Sequence, residues 1–171
     1  WVAAGFAPLA RYHSTVIEEL DGPDPKADRA EARLRAEGCG FRPLDRSRLH
    51  ADMASIHRLS LAAFRNAFLY QPISFNEFES AQAPLASRLR PELVLLAERS
   101  GETVGFVFAI PDLLQAGRGQ PVDTVIIKTL AVLPGRELAG LGVCLVRRLH
   151  RAAKALGYRR VIHALMHEAN G

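Results

Sequence analysis

The stretch Lys128-Thr129-Leu130-Ala131-Val132-Leu133-Pro134-Gly135-Arg136-Glu137-Leu138-Ala139-Gly140-Leu141-Gly142-Val143 decides the reading of this chain. Val125 to Val132 is an apolar run that reads as a strand, and Pro134-Gly135 stops it. Leu141, Leu145, Leu149, Ala153 and Leu156 then recur at helical spacing, so a helix is expected over about 140–156, ended by Gly157. A strand thus runs through a glycine-bearing turn straight into a long helix. The first N–H groups of a helix have no intrahelical acceptor, and the helix dipole adds partial positive charge there. Glycines let an anion approach that backbone closely. The combination suits a phosphate or pyrophosphate; the same glycines also suit plain strand-turn-helix packing. Two nucleotide motifs fail. Gly135 and Gly140 have P-loop spacing, but Leu141 and Gly142 stand where Lys and Ser or Thr are needed, so a nucleotide triphosphatase is not expected. Gly140 and Gly142 are followed by Leu145 instead of glycine, which breaks the dinucleotide fingerprint.

Outward from this stretch, Leu93 to Ala97 reads as a buried strand, Ser100-Gly101 as a turn, and the alternation of Val104, Phe106, Phe108 and Ile110 as a hairpin partner. Residues 111–122 read as a loop, and Val161 to Met166 as the last strand. Upstream, Phe41 to Leu44 is a short strand, with Asp45 or Ser47 as a cap for an amphipathic helix over about 47–66. Ser74 and Glu77 form a capping box that opens a second helix over about 75–89, kinked or ended near Pro84. From residue 41 the order is β, α, α, β, β, β, α, β. That is α+β, or mixed α/β, with a partly antiparallel sheet, and not the strict alternation of a doubly wound fold. Residues 1–20 are strand-like, residues 21–25 are a breaker cluster, and residues 26–37 read as a solvated linker helix. Gly5 to Arg11 resembles Gly40 to Arg46, but no third copy follows, so a repeat array is not expected.

Composition narrows the class. The 171 residues are 49% hydrophobic and 23% charged, which suits a globular core and excludes general disorder. No apolar run reaches the roughly 20 residues of a membrane span. With only two cysteines, Cys39 and Cys144, neither a disulfide scaffold nor a multi-cysteine zinc site is expected, and a reducing, cytoplasmic setting is. The net charge of +4 favours anionic ligands weakly.

The central stretch resembles the acyl-CoA motif of the GCN5-related N-acetyltransferases. Leu130, Val132 and Pro134 match the family's strand, Gly140 and Gly142 match its turn, and the element order agrees over about residues 40–171. The resemblance implies a mostly antiparallel central sheet flanked by helices. It implies acetyl-CoA as co-substrate, no metal, and direct transfer of an acetyl group to a small-molecule or peptide amine. Leu130, Ala131 and Val132 would face the pantetheine arm, and Arg136, Glu137, Leu138, Ala139, Gly140, Leu141, Gly142 and Val143 the pyrophosphate. Asn170 resembles the asparagine of the family's next motif. Glu137 stands where the family has Arg or Gln and Leu138 where glycine is frequent; a carboxylate near a pyrophosphate is repulsive by about 1–4 kcal/mol at ~4 Å. These departures keep open a second reading, a catalytically degenerate binding or assembly module. The resemblance also implies that the C-terminal part of the fold lies beyond residue 171. Residues 1–20 are then either the tail of a preceding copy or a segment that completes the sheet, residues 21–39 a linker with a helix, and residues 40–171 the acyl-CoA-binding domain.

Direct transfer needs a base for the acceptor's proton. His163 and Asp123 are the leading candidates, with His167 and Glu98 behind them. A histidine titrates near neutrality and suits the role, although a histidine beside apolar residues is more often packing. His163 and His167 have metal-motif spacing, but on a strand they lie about 13 Å apart and cannot share a zinc. The cluster Arg147, Arg148, His150, Arg151, Lys154, Arg159 and Arg160 reads as a solvated basic face or an anion contact; nucleic acid is not the expected partner. Phe64, Phe68, Tyr70, Phe75 and Phe78 read as core, with one or two bordering the acceptor pocket. A homo-oligomer is left open.

Overall fold

In the computed structural model, which describes residues 2–7, 9–67, 69–83 and 89–167, the alternating segment around Phe106 is an inner strand of a six-stranded sheet. The strands are β1 (Tyr12–Ile17), β2 (Cys39–Pro43), β3 (Val94–Arg99), β4 (Glu102–Pro111), β5 (Thr124–Val132) and β6 (Arg160–His167). Their spatial order is β1-β6-β5-β4-β3-β2. Every neighbouring pair is antiparallel except β5 and β6, which are parallel. The fold class expected from the sequence is the one observed: a mixed α/β chain with a mostly antiparallel sheet between helices.

Period-two alternation sorts the strand side chains into two cores. On β3, Leu95 and Ala97 face one core, together with Leu141, Leu145 and Leu149 of α5 (Leu141–Ala155) and Leu34 of α1 (Pro25–Ala36). Val94 and Leu96 face the other, with Ile56 and Leu59 of α2 (Leu49–Phe64) and Phe78 of α3 (Phe75–Gln82). The capping box at Ser74 and Glu77 is present, and Asp45 caps the single turn before α2. The segment read as a loop holds a short helix, α4 (Leu113–Gly117), capped by Asp112, whose side chain accepts from the Leu114 N–H. That cap was the missed signal. Among the described residues no helix is long and apolar enough to cross a membrane.

The solvated-helix reading of residues 26–37 is corrected. Ala27 and Leu34 of α1 are buried against α5, and the charges on α1 meet the basic face of α5. Arg147 pairs with Asp28 at 2.7 Å, Arg148 with Glu31, and Lys154 with Asp21. The Arg148 guanidinium also lies 4.5 Å above the Phe41 ring. Burial opposes ionisation of Glu31, but Arg148 and Arg35 together hold its carboxyl below the usual range. Arg147 and Arg148 thus form an interhelical ionic seam with α1, while Arg151, Lys154 and Arg159 stay exposed, as the solvated reading expects.

β1 lies antiparallel against β6 at one margin of the sheet. The β1–β6 register shifts between His13↔Met166 and Thr15↔His163, so Ala164 and Leu165 bulge opposite Ser14. Leu165 has φ +52°, and its N–H donates to the Ser14 hydroxyl at 3.1 Å. β5 has a bulge as well: Phe108 opposes Thr129 and Ala109 opposes Ile127, leaving Lys128 without a partner on β4.

Candidate active site

These bulges shape the site. The parallel β5–β6 ladder runs from Thr124↔Arg160 to Ile127↔His163 and stops there, although β5 continues to Val132 and β6 to His167. A bulge bends its strand and sharpens the local twist. Here each strand bulges just past its last paired residue, so the two part. The fork is a cleft of about 470 Å³ lined by residues including Lys128, Leu130, Phe64, Val146 and His163.

The turn that follows β5 opens beside the fork. Arg136–Leu138 forms one 3₁₀ turn, Gly140 is the N-cap of α5 with φ +81°, and the helix starts at Leu141. Glycine is needed at 140 for two reasons: the left-handed backbone, and the approach of α1, since a Cβ there would meet the Ala30 methyl at 2.9 Å. The first helical bond in α5 is Cys144 N–H to Gly140 C=O at 3.1 Å. Among the described residues, no acceptor engages the N–H groups of Gly140, Leu141, Gly142 or Val143. Gly142 is the contact between turn and fork. A Cβ there would lie 3.7 Å from Leu130 and 3.9 Å from Val132, so glycine keeps open a notch facing β5.

The turn is held from behind by α1. Arg33 donates to the Glu137 carbonyl at 3.2 Å and to the Ala139 carbonyl at 2.6 Å. Pointing these carbonyls at a guanidinium fits a turn whose N–H groups serve an anion. The departures from the family pattern also have structural reasons. Leu138 is buried and anchors the turn in the core around α5. Glu137 lies against Gly135, where any Cβ would collide with its carboxylate. Leu141 is fully buried and Ala131 packs under α2, so of the residues expected at the acyl-CoA site these two belong to the cores. Leu130, Val143, Arg136 and Ala139 are partly or well exposed. Asn170 lies outside the described residues, as does Phe68.

The base candidates separate clearly. His163 lines the fork, and its Nε2 lies 2.9 Å from Nε2 of His150 on α5, so one ring donates and the other accepts. Burial, with some help from the neighbouring ring, pushes His150 down to about 4; burial also lowers His163. Both rings are therefore neutral at pH 7. The pairing was not legible in the sequence, because His150 and His163 sit on different elements with no local spacing. Asp123 does not line the fork. It stands at the closed end of the β5–β6 pair, about 13 Å along the strand from Ile127. Its Oδ1 accepts from Arg160 at 2.6 Å, Gln115 at 2.8 Å and Thr124 at 2.9 Å, and these donors hold its carboxyl far below the usual range. Asp123 is a clasp that fixes the start of β5. Glu98 is likewise committed: Arg42 donates to it at 2.7 Å and, in a bidentate pair, to the buried Asp52. His167 packs edge-on against Tyr12. Of the aromatic cluster, Phe64 borders the fork and Phe78 a second cavity beneath α2 and α3.

Comparison with known proteins agrees with this architecture. Residues 53–170 match the model of the acetyltransferase (GNAT) family. A solved GCN5-related N-acetyltransferase from Sphaerobacter thermophilus is similar at 20% identity and TM-score 0.69, over 99% of this chain and 47% of that one. A GNAT family acetyltransferase from Brucella melitensis, solved in complex with acetyl-CoA, is similar at 24% identity and TM-score 0.57, over 73% of this chain and 74% of that one. A glucosamine N-acetyltransferase region of a fungal multi-domain β-N-acetylglucosaminidase is similar at 12% identity and TM-score 0.64, over 91% of this chain and 18% of that one. The chain spans under half the length of the Sphaerobacter and fungal proteins. No curated protein sequence matches it. The family match covers more than half of the chain: the chain belongs to the acetyltransferase (GNAT) family.

Proposed function

We propose that this chain is an acyl-CoA-dependent N-acetyltransferase, moving an acetyl group from acetyl-CoA to an amine. The observation that carries the reading is the meeting of two features at Leu130. That residue lines the fork and also lies 3.7 Å from the position a Cβ on Gly142 would take, at the helix start whose N–H groups are unspent. An anion held at that helix start therefore continues directly into the fork.

Acetyl-CoA supplies an activated acyl thioester. The N–H groups of Gly142 and Val143 hold its pyrophosphate, and the dipole of α5 adds to the attraction. Past Ile127, the β6-facing backbone groups of β5 have no ladder partner and serve the amide arm. With its Nε2–H donating to His150, His163 receives at Nδ1 the proton that the amine gives up as its nitrogen bonds to the acyl carbon and the sulfur leaves as thiolate. A neutral imidazole in the cleft wall suits that task, and His150 fixes its ring through the Nε2–Nε2 hydrogen bond.

The test is transfer itself. With acetyl-CoA and a panel of amines, thiol release is expected together with an acetylated product identified by mass spectrometry. His163→Gln is expected to lower kcat by about 10²–10⁴ with little change in acetyl-CoA affinity. Tight acetyl-CoA binding with no turnover on any amine would favour the non-catalytic reading instead.

A further inference from the structure

A second cavity, of about 220 Å³, lies beneath α2 and α3. Its walls include Met53, Ile56, Phe78, Phe106 and Phe108, and it shares Lys128 and Thr129 with the fork. Those two residues sit at the β5 bulge, so the bulge that opens the fork also sets Lys128 between the two spaces. The cavity is smaller than the ~300–1,000 Å³ of pockets for drug-sized ligands, which limits it to a compact guest.

The polar side chains on its wall are Ser60, Gln82, Thr129 and Lys128. The Ser60 hydroxyl donates to the Ile56 carbonyl at 2.8 Å. No carboxylate lines the cavity among the described residues. The nearby acids of α2 and α3 are engaged: Asp52 by Arg42, Glu77 in the capping box, and Glu79 with His50. Lys128 is exposed and makes no ion pair with a described residue. The space is therefore mainly apolar, with the neutral polar groups of Gln82 and Thr129 on its wall, no anion among the described lining residues, and one cation at the boundary to the fork. Such a site disfavours polyamines and lysine side chains, whose ammonium groups would face Lys128 with no carboxylate to hold them.

Resting on the transferase reading above, we propose that the acceptor is an α-amino acid with an aliphatic or aromatic side chain. Its carboxylate pairs with Lys128, its side chain fills the cavity beneath α2 and α3, and its α-amine is thereby set at the mouth of the fork. With no carboxylate among the described lining residues, the wall offers the ammonium form no anionic partner, which favours the neutral, nucleophilic amine.

The experiment compares acids with their decarboxylated twins. With acetyl-CoA present, kcat/KM is measured for L-leucine and L-phenylalanine, and for isoamylamine, phenethylamine and spermidine. The amino acids are expected to exceed the matched amines by about ten-fold or more, the scale of one charge-assisted hydrogen bond. Lys128→Met is expected to collapse that ratio and Lys128→Arg to restore most of it. Preference for spermidine or the simple amines, or a ratio unmoved by Lys128→Met, overturns the proposal. A second arm needs no turnover: NMR titration of the protein with N-acetyl-L-leucine against N-isoamylacetamide. Saturable shifts at Met53 and Ile56 methyls are expected for the acid and not in Lys128→Met; equal shifts for both ligands overturn the proposal. Failure of acetyl-CoA to bind would count against the transferase reading alone, and the NMR arm would still decide the acceptor.

Discussion

Glu137 is the residue where sequence and site pull hardest against each other. Its carboxylate lies on the turn that would hold a pyrophosphate, packed against Gly135. Two like charges a few ångströms apart near a protein surface repel by on the order of 1–4 kcal/mol, less in salt. Glu137→Gln is therefore expected to tighten acetyl-CoA binding by about two- to ten-fold, with the gain shrinking as ionic strength rises. Weaker binding in calorimetry would mean that the carboxylate orients the turn instead of opposing the ligand. Gly140, Gly142 and the capping box were legible because each is a local requirement of backbone geometry. Three residues were not: Arg33, His150 and Lys128 gain their roles only from partners far along the chain or from a bulge. Asp123 shows the opposite failure. Its residue type suited a base, but its neighbours, Arg160 above all, make it a clasp.

At the scale of elements, strand and helix periods predicted β3, β4, β5, α2 and α5 well, because each buries a face at its own spacing. α1 was misread for a physical reason. Its buried stripe is narrow and made of Ala27, Ala30 and Leu34, and its many charges read as a solvated face, although Asp28 and Glu31 answer Arg147 and Arg148 of α5. The bulges at Lys128 and Leu165 leave no signal in the hydrophobic pattern, so the fork could not be read from it. The contact between α5 and β6 carries a pH dependence. An unfolded histidine protonates near 6.5, whereas His150 resists until about 4 and His163 is also lowered. Between those values the unfolded chain binds more protons, so this contribution to stability is full above pH 6.5 and is lost as pH falls toward 4. Thermal melts should show wild type losing stability from pH 7 to pH 5 more steeply than His150→Leu. Parallel pH profiles would mean that the pair does not titrate as a buried unit.

For the whole molecule, the issue is how the fork is held open. The β1 strand supplies the ladder along the outer side of β6, and Ser14 binds the Leu165 N–H at its bulge. We propose that β1 completes the sheet and braces the fork. Removing residues 1–17 should lower the melting temperature by roughly 5 °C or more and weaken acetyl-CoA binding. A truncated chain that melts and binds like the full one would assign β1 no such part.

The central claim is that the start of α5 and the fork beside it form one acyl-CoA site. Isothermal titration of the intact chain with acetyl-CoA, alongside Gly142→Glu, tests it most directly. A Cβ at 142 has ordinary clearance from Leu130 and Val132, so the variant is expected to fold while filling the notch with a carboxylate. The account predicts saturable binding by the wild type, lost in a variant whose melting curve is unchanged. Equal binding by the two, or none by a folded wild type, would contradict it.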